Sequence, residues 1–593
     1  MLDIHVEASR RFEIVHINVK GAYVMNTKRR HGLFFAVALL LVIAMAGCQK
    51  ADKPAEESAV DMNDPAWKEA KTTPFAPYPD TVTYSVGQVA GNYTSLKGTP
   101  YEKDNATNNV WTRYIKNKLN VQNEIAFEAN DGTDYQQKVS MAIVSGEIPD
   151  IMVVPDHETL QQLYENDLIE DLTAAYEDTA SERIKEIYDS YDGRVLDTAK
   201  FDGKLMALPT TEISHGPGVL WLRKDWMDQL GLQEPKTIED IEHIITQFVE
   251  KDPGGNGPGN TVGLVIDNEQ PVGISGGQYE VNNIFALYGA FPKQWIDDGT
   301  GKAVYGSIQP EMKPALAKVA DMYKKGLIDR QFAVRTSDDR KALLTSGKSG
   351  SFLDNWWGSW IVADSLKLNP DAEWVSYVAP QSEDGSVTMF TGKPTSSYLV
   401  VRKGFSHPEA AIKIASVQFD YQRYQEKDEA VLKEFEDYSA HNVGGSPLAV
   451  NIDYYDAFYR NVGIMEEALE TGDPSKLTSN LDIAAYKSYK KYLDDSKNGN
   501  KVDANAWAGY TSSITTAKLV NNSNIKEVNP IFFGSTRSMS LKWPTLMKME
   551  LEMYLKIITG EQTPDDFDKF VENWKKTGGD IITDEVNEAI ASN

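Results

Sequence analysis

Residues 81–167 alternate between two kinds of hydrophobic pattern, and this alternation restricts the fold more than any other feature of the chain. Short β-branched or apolar runs predict strands at "TVTYSVGQV" (81–89), "NEIAFEA" (123–129) and "DIMVV" (150–154). Stretches with helical spacing of apolar residues follow each strand, at 109–120, 134–146 and 157–167. A β-α-β-α-β-α series predicts a parallel sheet with helices on both faces. In such sheets ligands meet the loops at the carboxyl ends of the strands.

The rest of the chain predicts further helices and one extended apolar segment at 219–222. Thr237 is a candidate N-cap, with Asp240 three residues later, for an amphipathic helix that continues to about residue 251. Other helices are predicted at 310–326, 408–418 and about 541–559. With 593 residues the chain is long enough for two or more domains.

The N-terminal region has the order of an export signal. Basic residues at 28–30 precede residues 32–47, which carry no charge and are too few for a membrane span of roughly 20 residues. Two small residues then precede Cys48, the only cysteine of the chain. This tail resembles the lipobox of bacterial lipoproteins, in which the signal is cut before a cysteine whose thiol carries lipid. The alternatives are an uncut signal anchor and a plain secretory signal with an incidental cysteine.

The two segments that flank this signal have different interpretations. Residues 1–24 carry mixed charge, which is not typical of the start of a signal, so we hypothesise that translation starts at Met25. We therefore predict a signal peptide over 1–47. Residues 48–78 are rich in Ala, Glu, Asp, Lys and Pro without apolar periodicity, and they predict a tether between lipid and fold.

Charge and cysteine content exclude several classes of function. The formal net charge of −27 disfavours binding to nucleic acid and to anionic lipid head groups, so the predicted contact with the membrane is the lipid anchor alone. A single cysteine forms no internal disulfide and no cysteine-rich zinc site.

Segments spread over most of the chain carry a resemblance to a known family. They are "SGEIPDIMVV" (145–154), "YENDLIEDLT" (164–173), "GKLMALPT" (203–210), "LRKDWMDQLGLQEPKTIEDIE" (222–242), "VYGSIQPEMKPALAKVADMYKKGLIDRQF" (304–332), "GKSGSFLDNWWGSW" (347–360), "HPEAAIKIA" (407–415) and "WPTLMKMELEMYLKIITGEQTPDDFDKFVENWKKTGGDIITDEVN" (543–587). The set resembles family 1 extracellular solute-binding proteins, in the long lipoprotein subgroup that serves carbohydrate ABC importers.

This resemblance implies an α/β, two-lobe fold of the periplasmic-binding-protein type, like maltose-binding protein, with ligand in the cleft between the lobes. We predict that lobe 1 contains residues 79–213 and about 375–425, and that lobe 2 contains 214–374 and about 426–593. The implied function is capture of a carbohydrate, an oligosaccharide by its chain length and aromatic content, outside the cell by a lipid-anchored monomer. The partner that receives the sugar is an ABC transporter permease.

A sugar site needs aromatic surfaces next to carboxylates, amides or arginines, because sugars present flat C–H faces and a rim of hydroxyls. "LDNWWGSW" combines both kinds of group in Asp354, Asn355, Trp356, Trp357 and Trp360. In maltose-type relatives the position of Trp357 stacks on ligand. Adjacent tryptophans in an extended or loop segment face opposite ways, so we do not expect both Trp356 and Trp357 to stack on ligand. The alternative is that one or both pack in the core of the second lobe.

Other candidates come from loops that the resemblance places at the cleft. Glu212 and His215 lie in "TTEISHG", where the first crossing segment enters the cleft; the alternatives are a solvated acid and a hinge histidine. Asp156 and His157 follow the third predicted strand, with a helix N-cap as the alternative for Asp156. Tyr93 follows the first strand, and its alternative is a surface aromatic.

The segment "DPGGNGPGNTVG" (252–263) resembles a calcium loop of some relatives. Oxygen ligands at alternating positions would come from Asp252, Asn256, the carbonyl of Pro258 and Asn260. Gly254 stands where an acid or amide is usual, and no glutamate closes the loop, so a glycine-rich turn is the favoured interpretation.

The competing class is an enzyme, because a secreted glycoside hydrolase needs only two carboxylates across a cleft. The sequence has no GxSxG elbow and no metal motif, and its cysteine is consumed by lipidation. We therefore predict a binding protein without catalytic residues, with a lipid-anchored hydrolase and a binder of non-sugar solutes as alternatives.

Overall fold

The computed structural model describes residues 64–214, 216–273, 278–441 and 443–592. The predicted signal peptide, Cys48 and most of the predicted tether lie outside the described residues, and so does His215. Among the described residues no helix combines the length and the apolar character that a membrane span requires.

The strands are short. In chain order they are β1 (Val82–Val89), β2 (Val121–Ala129), β3 (Ile151–Val154), β4 (Lys200–Phe201), β5 (Lys204–Leu205), β6 (Leu208–Pro209), β7 (Val219–Arg223), β8 (Trp295–Asp297), β9 (Ala303–Tyr305), β10 (Ser351–Asp354), β11 (Trp374–Tyr377), β12 (Ser386–Phe390), β13 (Tyr398–Val401) and β14 (Asn524–Val528).

Helices make up a larger part of the described chain than strands. The α-helices are α1 (Pro65–Thr72), α2 (Val110–Leu119), α3 (Gly132–Ser145), α4 (His157–Glu165), α5 (Thr173–Thr179), α6 (Glu182–Asp189), α7 (Lys224–Leu230), α8 (Ile238–Lys251), α9 (Asn282–Ala286), α10 (Met312–Lys325), α11 (Ser337–Thr345), α12 (Gly358–Leu368), α13 (Glu409–Ser416), α14 (Glu429–Ser439), α15 (Val462–Thr471), α16 (Asn480–Lys497), α17 (Ala504–Tyr510), α18 (Ala517–Asn521), α19 (Arg537–Thr559), α20 (Asp566–Trp574) and α21 (Asp580–Ser592).

The first sheet has five strands in the order β2-β1-β3-β13-β6. The pairs β1 with β2 and β1 with β3 are parallel, which confirms the parallel arrangement predicted from the alternating pattern. Strand β13 pairs antiparallel with both β3 and β6, and it comes from a distant part of the chain. The carboxyl end of β3 leads directly into α4, so residues 155–157 lie at the edge where ligands are expected.

The second sheet has three antiparallel strands with β7 between β10 and β11. All five residues of β7 are buried, as expected for a continuous apolar strand. Helix α8 begins with the predicted capping box: the Thr237 hydroxyl accepts the backbone N–H of Asp240, and the Asp240 carboxylate accepts the N–H of Thr237.

The buried apolar residues form separate cores. One cluster draws its residues from 67–208 and 398–454. Two other large clusters draw theirs from 219–387 and 458–586. The chain therefore builds one lobe, passes to the other, and returns before it completes the second.

These clusters differ in extent from the predicted lobes. Residues of 426–454, assigned by sequence to lobe 2, pack in the first cluster. Residues of 375–387, assigned by sequence to lobe 1, pack in the two other large clusters. The lobe boundaries themselves stay a prediction.

Residues 65–78, assigned by sequence to the tether, pack on the first core. The Trp67 ring stacks on His407 with centroids 5.2 Å apart. The ammonium group of Lys413, which is fully buried, donates hydrogen bonds to the backbone carbonyls of Ala70, Thr73 and Ala76. Burial lowers the pKa of Lys413 to about 8.

Candidate functional site

Three segments, within 209–218, 388–397 and 455–457, connect the core of the first lobe to those of the second. They run side by side and are joined by backbone hydrogen bonds from Thr210 N to Ser397 O (2.9 Å), Glu212 N to Pro394 O (3.1 Å) and Ser214 N to Tyr455 O (2.7 Å). Gly216 has a φ of +66°, and a Cβ there would lie 2.7 Å from Val520 Cγ1, so the first segment requires glycine at this point.

The connecting segments form the wall of a cavity of about 330 Å³, hereafter the central cavity. Glu212 and Lys393 line it from the segments, and Arg194 lines it from the loop after α6. Tyr455 and Phe390 supply aromatic surface. The cavity thus offers donors, an acceptor and apolar rings, which are the groups that recognise sugars.

Two further cavities adjoin the central one. Lys393 also lines a cavity of about 300 Å³, the rim cavity, between residues 156–158 and residues 533–544. Ile213 also lines a cavity of about 280 Å³, the aromatic cavity, whose other lining residues include Trp356 and Phe458. Because neighbouring cavities share lining residues, the three form a row along the junction between the lobes.

Asp156 and His157 lie at the rim cavity, as the topology predicts. The Asp156 carboxylate caps α4 by accepting the backbone N–H of Thr159 at 2.8 Å, so its alternative role as N-cap is present. His157 stacks on Phe201 with ring centroids 5.5 Å apart, and its Nδ1 has no hydrogen-bond partner among the described residues. Burial lowers the pKa of His157, an effect that the neighbouring Asp156 carboxylate opposes.

Glu158, which the sequence did not single out, bridges the rim cavity. Its carboxylate on α4 accepts hydrogen bonds from the hydroxyls of Ser535, at 3.2 Å, and Ser540, at 2.6 Å. The two serines belong to the second lobe, at the start of α19. The bonds therefore hold the lobes together at the mouth of the junction.

The "LDNWWGSW" stretch begins at the buried end of β10. Asp354 is 1% exposed, and its Oδ2 has no hydrogen-bond partner among the described residues. Burial, together with the nearby Glu280, raises the pKa of Asp354 well above its usual range. The Asn355 carbonyl accepts hydrogen bonds from Trp221 Nε1 and from the backbone of Gly358, which fixes the turn into α12.

The two adjacent tryptophans have different surroundings. Trp356 stacks on Phe458, with ring centroids 4.5 Å apart and planes 21° apart, and lines the aromatic cavity. Trp357 precedes α12, is half-buried, and meets Trp356 edge to face with centroids 5.5 Å apart. Trp360 is 47% exposed.

Tyr93 lies in a short 3-10 helix after β1. Its ring packs on Gly91, and burial raises the pKa of its hydroxyl. The hydroxyl points toward Gly445 and not into any of the three cavities described above.

Residues that the sequence did not single out line all three cavities, Glu158 at the rim cavity among them. Arg194, Lys393 and Tyr455 line the central cavity, and Asp482 lines the aromatic cavity. Burial raises the pKa of Asp482, whose carboxylate accepts a hydrogen bond from Asn461. The segment 453–459, "DYYDAFY", mixes aromatic and acidic residues as "LDNWWGSW" does, and this similarity is a signal that could have identified it.

The loop considered for calcium is closed by its own hydrogen bonds. The two oxygens of Asp252 accept the backbone N–H groups of Asn256, at 2.9 Å, and Gly257, at 2.7 Å, and the hydroxyl of Thr261. The Asn260 side chain donates to the Asn256 carbonyl at 3.0 Å. The loop supplies one carboxylate, whose two oxygens accept these donors, and the calcium site at Asp252, Asn256, Pro258 and Asn260 stays a prediction.

The described residues contain no group of three or more His, Cys, Asp or Glu side chains placed to share a metal ion.

The sequence and the fold are similar to those of known proteins. A family model described as "Bacterial extracellular solute-binding protein" matches residues 114–427. The chain is 22% identical over 461 residues to the polygalacturonan/rhamnogalacturonan-binding protein YtcQ of Bacillus subtilis (strain 168). This match covers 77% of this chain and 83% of that protein. It is 26% identical over 224 residues to Lipoprotein LipO of the same organism, which covers 37% of this chain and 42% of that protein.

A solved structure, the Streptococcus pneumoniae ABC-transporter substrate binding protein FusA in complex with kestose, is similar with a TM-score of 0.56. Its sequence identity is 15%, and the match covers 86% of this chain and 99% of that one. At that identity the similarity shows the fold alone, which is mixed α/β with two lobes.

Proposed function

Because the chain belongs to the family of bacterial extracellular solute-binding proteins, we propose that it captures an oligosaccharide outside the cell and delivers it to an ABC transporter permease. The lobes close on the sugar, the closed form docks on the permease, and opening releases the sugar. A change in the populations of open and closed forms drives this cycle.

The row of three cavities along the lobe junction carries the proposal. A single sugar ring would occupy one of them, whereas a row of about 280 to 330 Å³ spaces accommodates several rings. Each cavity has an aromatic side chain with a polar one nearby: Tyr455 with Glu212, Trp356 with Asp482, and Trp543 with His157. The names of the relatives agree with this class of ligand, since YtcQ is named for polygalacturonan and rhamnogalacturonan and FusA was solved with kestose.

The location of the protein follows from the N-terminal sequence. We propose that Cys48 carries the lipid, that the protein acts as a monomer on the outer face of the cell membrane, and that the lipid is its sole membrane contact. Metabolic labelling with a palmitate analogue tests this, because Cys48→Ser should abolish labelling and release the protein into the medium. Labelling that survives the substitution would contradict it.

We propose that the 252–261 loop is a turn that closes α8, with a calcium loop as the alternative. Three donors around Asp252 satisfy the carboxylate without an ion.

Thermal shift and calorimetric titration of the mature protein against a panel of neutral, acidic and amino oligosaccharides test the binding function. We expect at least one oligosaccharide to raise the melting temperature and to bind more tightly than its monosaccharide. If peptides bind and no sugar does, the carbohydrate assignment fails.

The competing assignment is a glycoside hydrolase, and a second readout in the same panel decides it. Reducing ends are measured after prolonged incubation of each bound sugar with the protein. The proposal predicts no release above buffer. Release that depends on Glu212 or on Asp482 would replace it with an enzyme.

A further inference from the structure

The charges around the central cavity contrast with the chain as a whole. The protein has a formal net charge of −27, yet two cations and one carboxylate, Arg194, Lys393 and Glu212, line the central cavity. Neither cation forms an ion pair with a carboxylate of the described residues. Most other arginines of the described chain are paired, as Arg423 is with Asp453.

Arg194 is held in place by contacts with uncharged groups. Its Nε donates to the Tyr191 carbonyl at 3.1 Å, and its guanidinium lies 5.0 Å from the centroid of the Tyr455 ring. The guanidinium also interacts with the hydroxyl of Tyr455 and donates a long bond, 3.4 Å, to the amide oxygen of Asn529. A guanidinium has five N–H donors, and those that these contacts do not use are available to donate to a carboxylate from outside the chain.

Lys393 lies between the central and rim cavities, since it lines both. Other charged groups are close to these cavities: Glu212 lines the central one, Asp156 and Glu158 line the rim, and Glu527 contacts the Tyr455 hydroxyl at 3.4 Å. Asp156 and Glu158 already accept hydrogen bonds, as an N-cap and as the bridge to the serines. Among the residues that line the central cavity itself, two cations face one carboxylate, so the formal charge of its lining is +1.

We propose that the captured oligosaccharide is acidic, and that a carboxylate of one of its uronic acid residues binds between Arg194 and Lys393. This proposal rests on the function proposed above and specifies its substrate class. Glu212 accepts hydroxyl hydrogen bonds of the same sugar unit. A neutral sugar would leave both cations without a charged partner, whereas a carboxylate supplies charge-assisted hydrogen bonds to them.

Matched pairs of ligands test the proposal by calorimetry. Trimers of galacturonate, glucuronate, mannuronate and guluronate are each compared with the carboxyl-reduced trimer, which keeps the ring and its hydroxyls and loses the charge. We expect at least one acidic trimer to bind about tenfold to a hundredfold more tightly than its reduced partner, the range for a hydrogen bond to a charged group.

Variants of the cation identify where the carboxylate binds. Lys393→Met should remove most of the preference for the acid, and Lys393→Arg should retain it. Lys487→Met, at an exposed lysine of α16, is the matched control and should change nothing. Melting temperatures confirm that the variants are folded.

The outcomes separate this inference from the function on which it rests. If carboxyl-reduced or neutral trimers bind as tightly as every acidic one, or if Lys393→Met keeps the preference, the inference is overturned and oligosaccharide capture stands. If no oligosaccharide of either kind binds, both fail together.

Discussion

Removal of the Glu158 carboxylate should shift the protein toward its open form. Glu158 accepts hydrogen bonds from Ser535 and Ser540 across the rim cavity, at 3.2 and 2.6 Å, and these bonds break when the lobes separate. A hydrogen bond to a charged group contributes about 1.5 to 3 kcal/mol when it is sheltered from water. Here Glu158 and Ser540 are exposed, so we assign the pair about 1 to 2 kcal/mol in total.

That free energy determines how far Glu158→Ala changes the ratio of closed to open forms and the dissociation constant of the ligand. At about 1.4 kcal/mol per factor of ten, Glu158→Ala lowers the ratio of closed to open forms by roughly 5- to 30-fold. Ligand binds the closed form, so its apparent dissociation constant rises as the closed fraction falls. The expected result is weaker oligosaccharide binding together with a larger radius of gyration of the unliganded protein.

Small-angle scattering measures the radius of gyration, and calorimetry measures the affinity. Glu165→Ala is the matched control, because Glu165 ends the same helix and bonds within the helix, to Gln161. Both variants should melt close to the parent. If Glu158→Ala leaves both compactness and affinity unchanged, the bridge does not stabilise closure and the reasoning is wrong.

Three further substitutions have defined outcomes. Trp356→Ala should weaken oligosaccharide binding at least tenfold in calorimetry because it removes one wall of the aromatic cavity, whereas Trp360→Ala, at an exposed ring, should not; equal losses would contradict the assignment. Lys413→Met should lower the free energy of unfolding by about 2 to 5 kcal/mol at pH 7, because three backbone carbonyls, that of the buried Ala70 among them, lose their donor. The pKa of Lys413 is about 8 in the folded protein and about 10.5 in the unfolded chain, so the unfolded chain binds more protons between these two pH values. The free energy of unfolding of the parent should therefore rise relative to that of the variant over this range, as measured by urea titrations. A difference between parent and variant that narrows would refute this. Asp252→Ala should lower the melting temperature equally with calcium and with chelator, and a calcium-dependent rise in the parent that the variant loses would restore a metal role.

Local patterns predicted the elements but not all of their partners. The strands and helices of 81–167 and the capping box at Thr237 and Asp240 were confirmed within a few residues, because each depends on spacing within one segment. Strand β13 pairs antiparallel with β3 and β6, which are distant in sequence. The residues around 398 alone do not predict these partners, because strand pairing depends on both strands. The family resemblance and the two-lobe fold were confirmed by the family model and by the solved structure.

The candidate site was predictable to a similar depth. The topology correctly placed Asp156 and His157 at the carboxyl edge of the sheet, where they line the rim cavity. The pattern of "LDNWWGSW" could not tell which tryptophan lines a cavity, because Phe458, which stacks on Trp356, is remote in sequence. Arg194 and Lys393 carry no local signature, since their uncompensated charge depends on what the fold places around them. Whether any of these residues contacts ligand stays a prediction.

Binding and closure are coupled in this fold because the same backbone serves both. Glu212, Lys393 and Tyr455 line the central cavity from the three segments that connect the lobes, and hydrogen bonds between those segments set the angle at which the lobes meet. A ligand held by these side chains therefore acts directly on the connecting segments, whereas Glu158 joins α4 to the start of α19. It follows that Lys393→Met should reduce affinity without changing the compactness of the unliganded protein, while Glu158→Ala should change both. If binding and closure were independent, Glu158→Ala would change the compactness of the unliganded protein and leave the affinity unchanged.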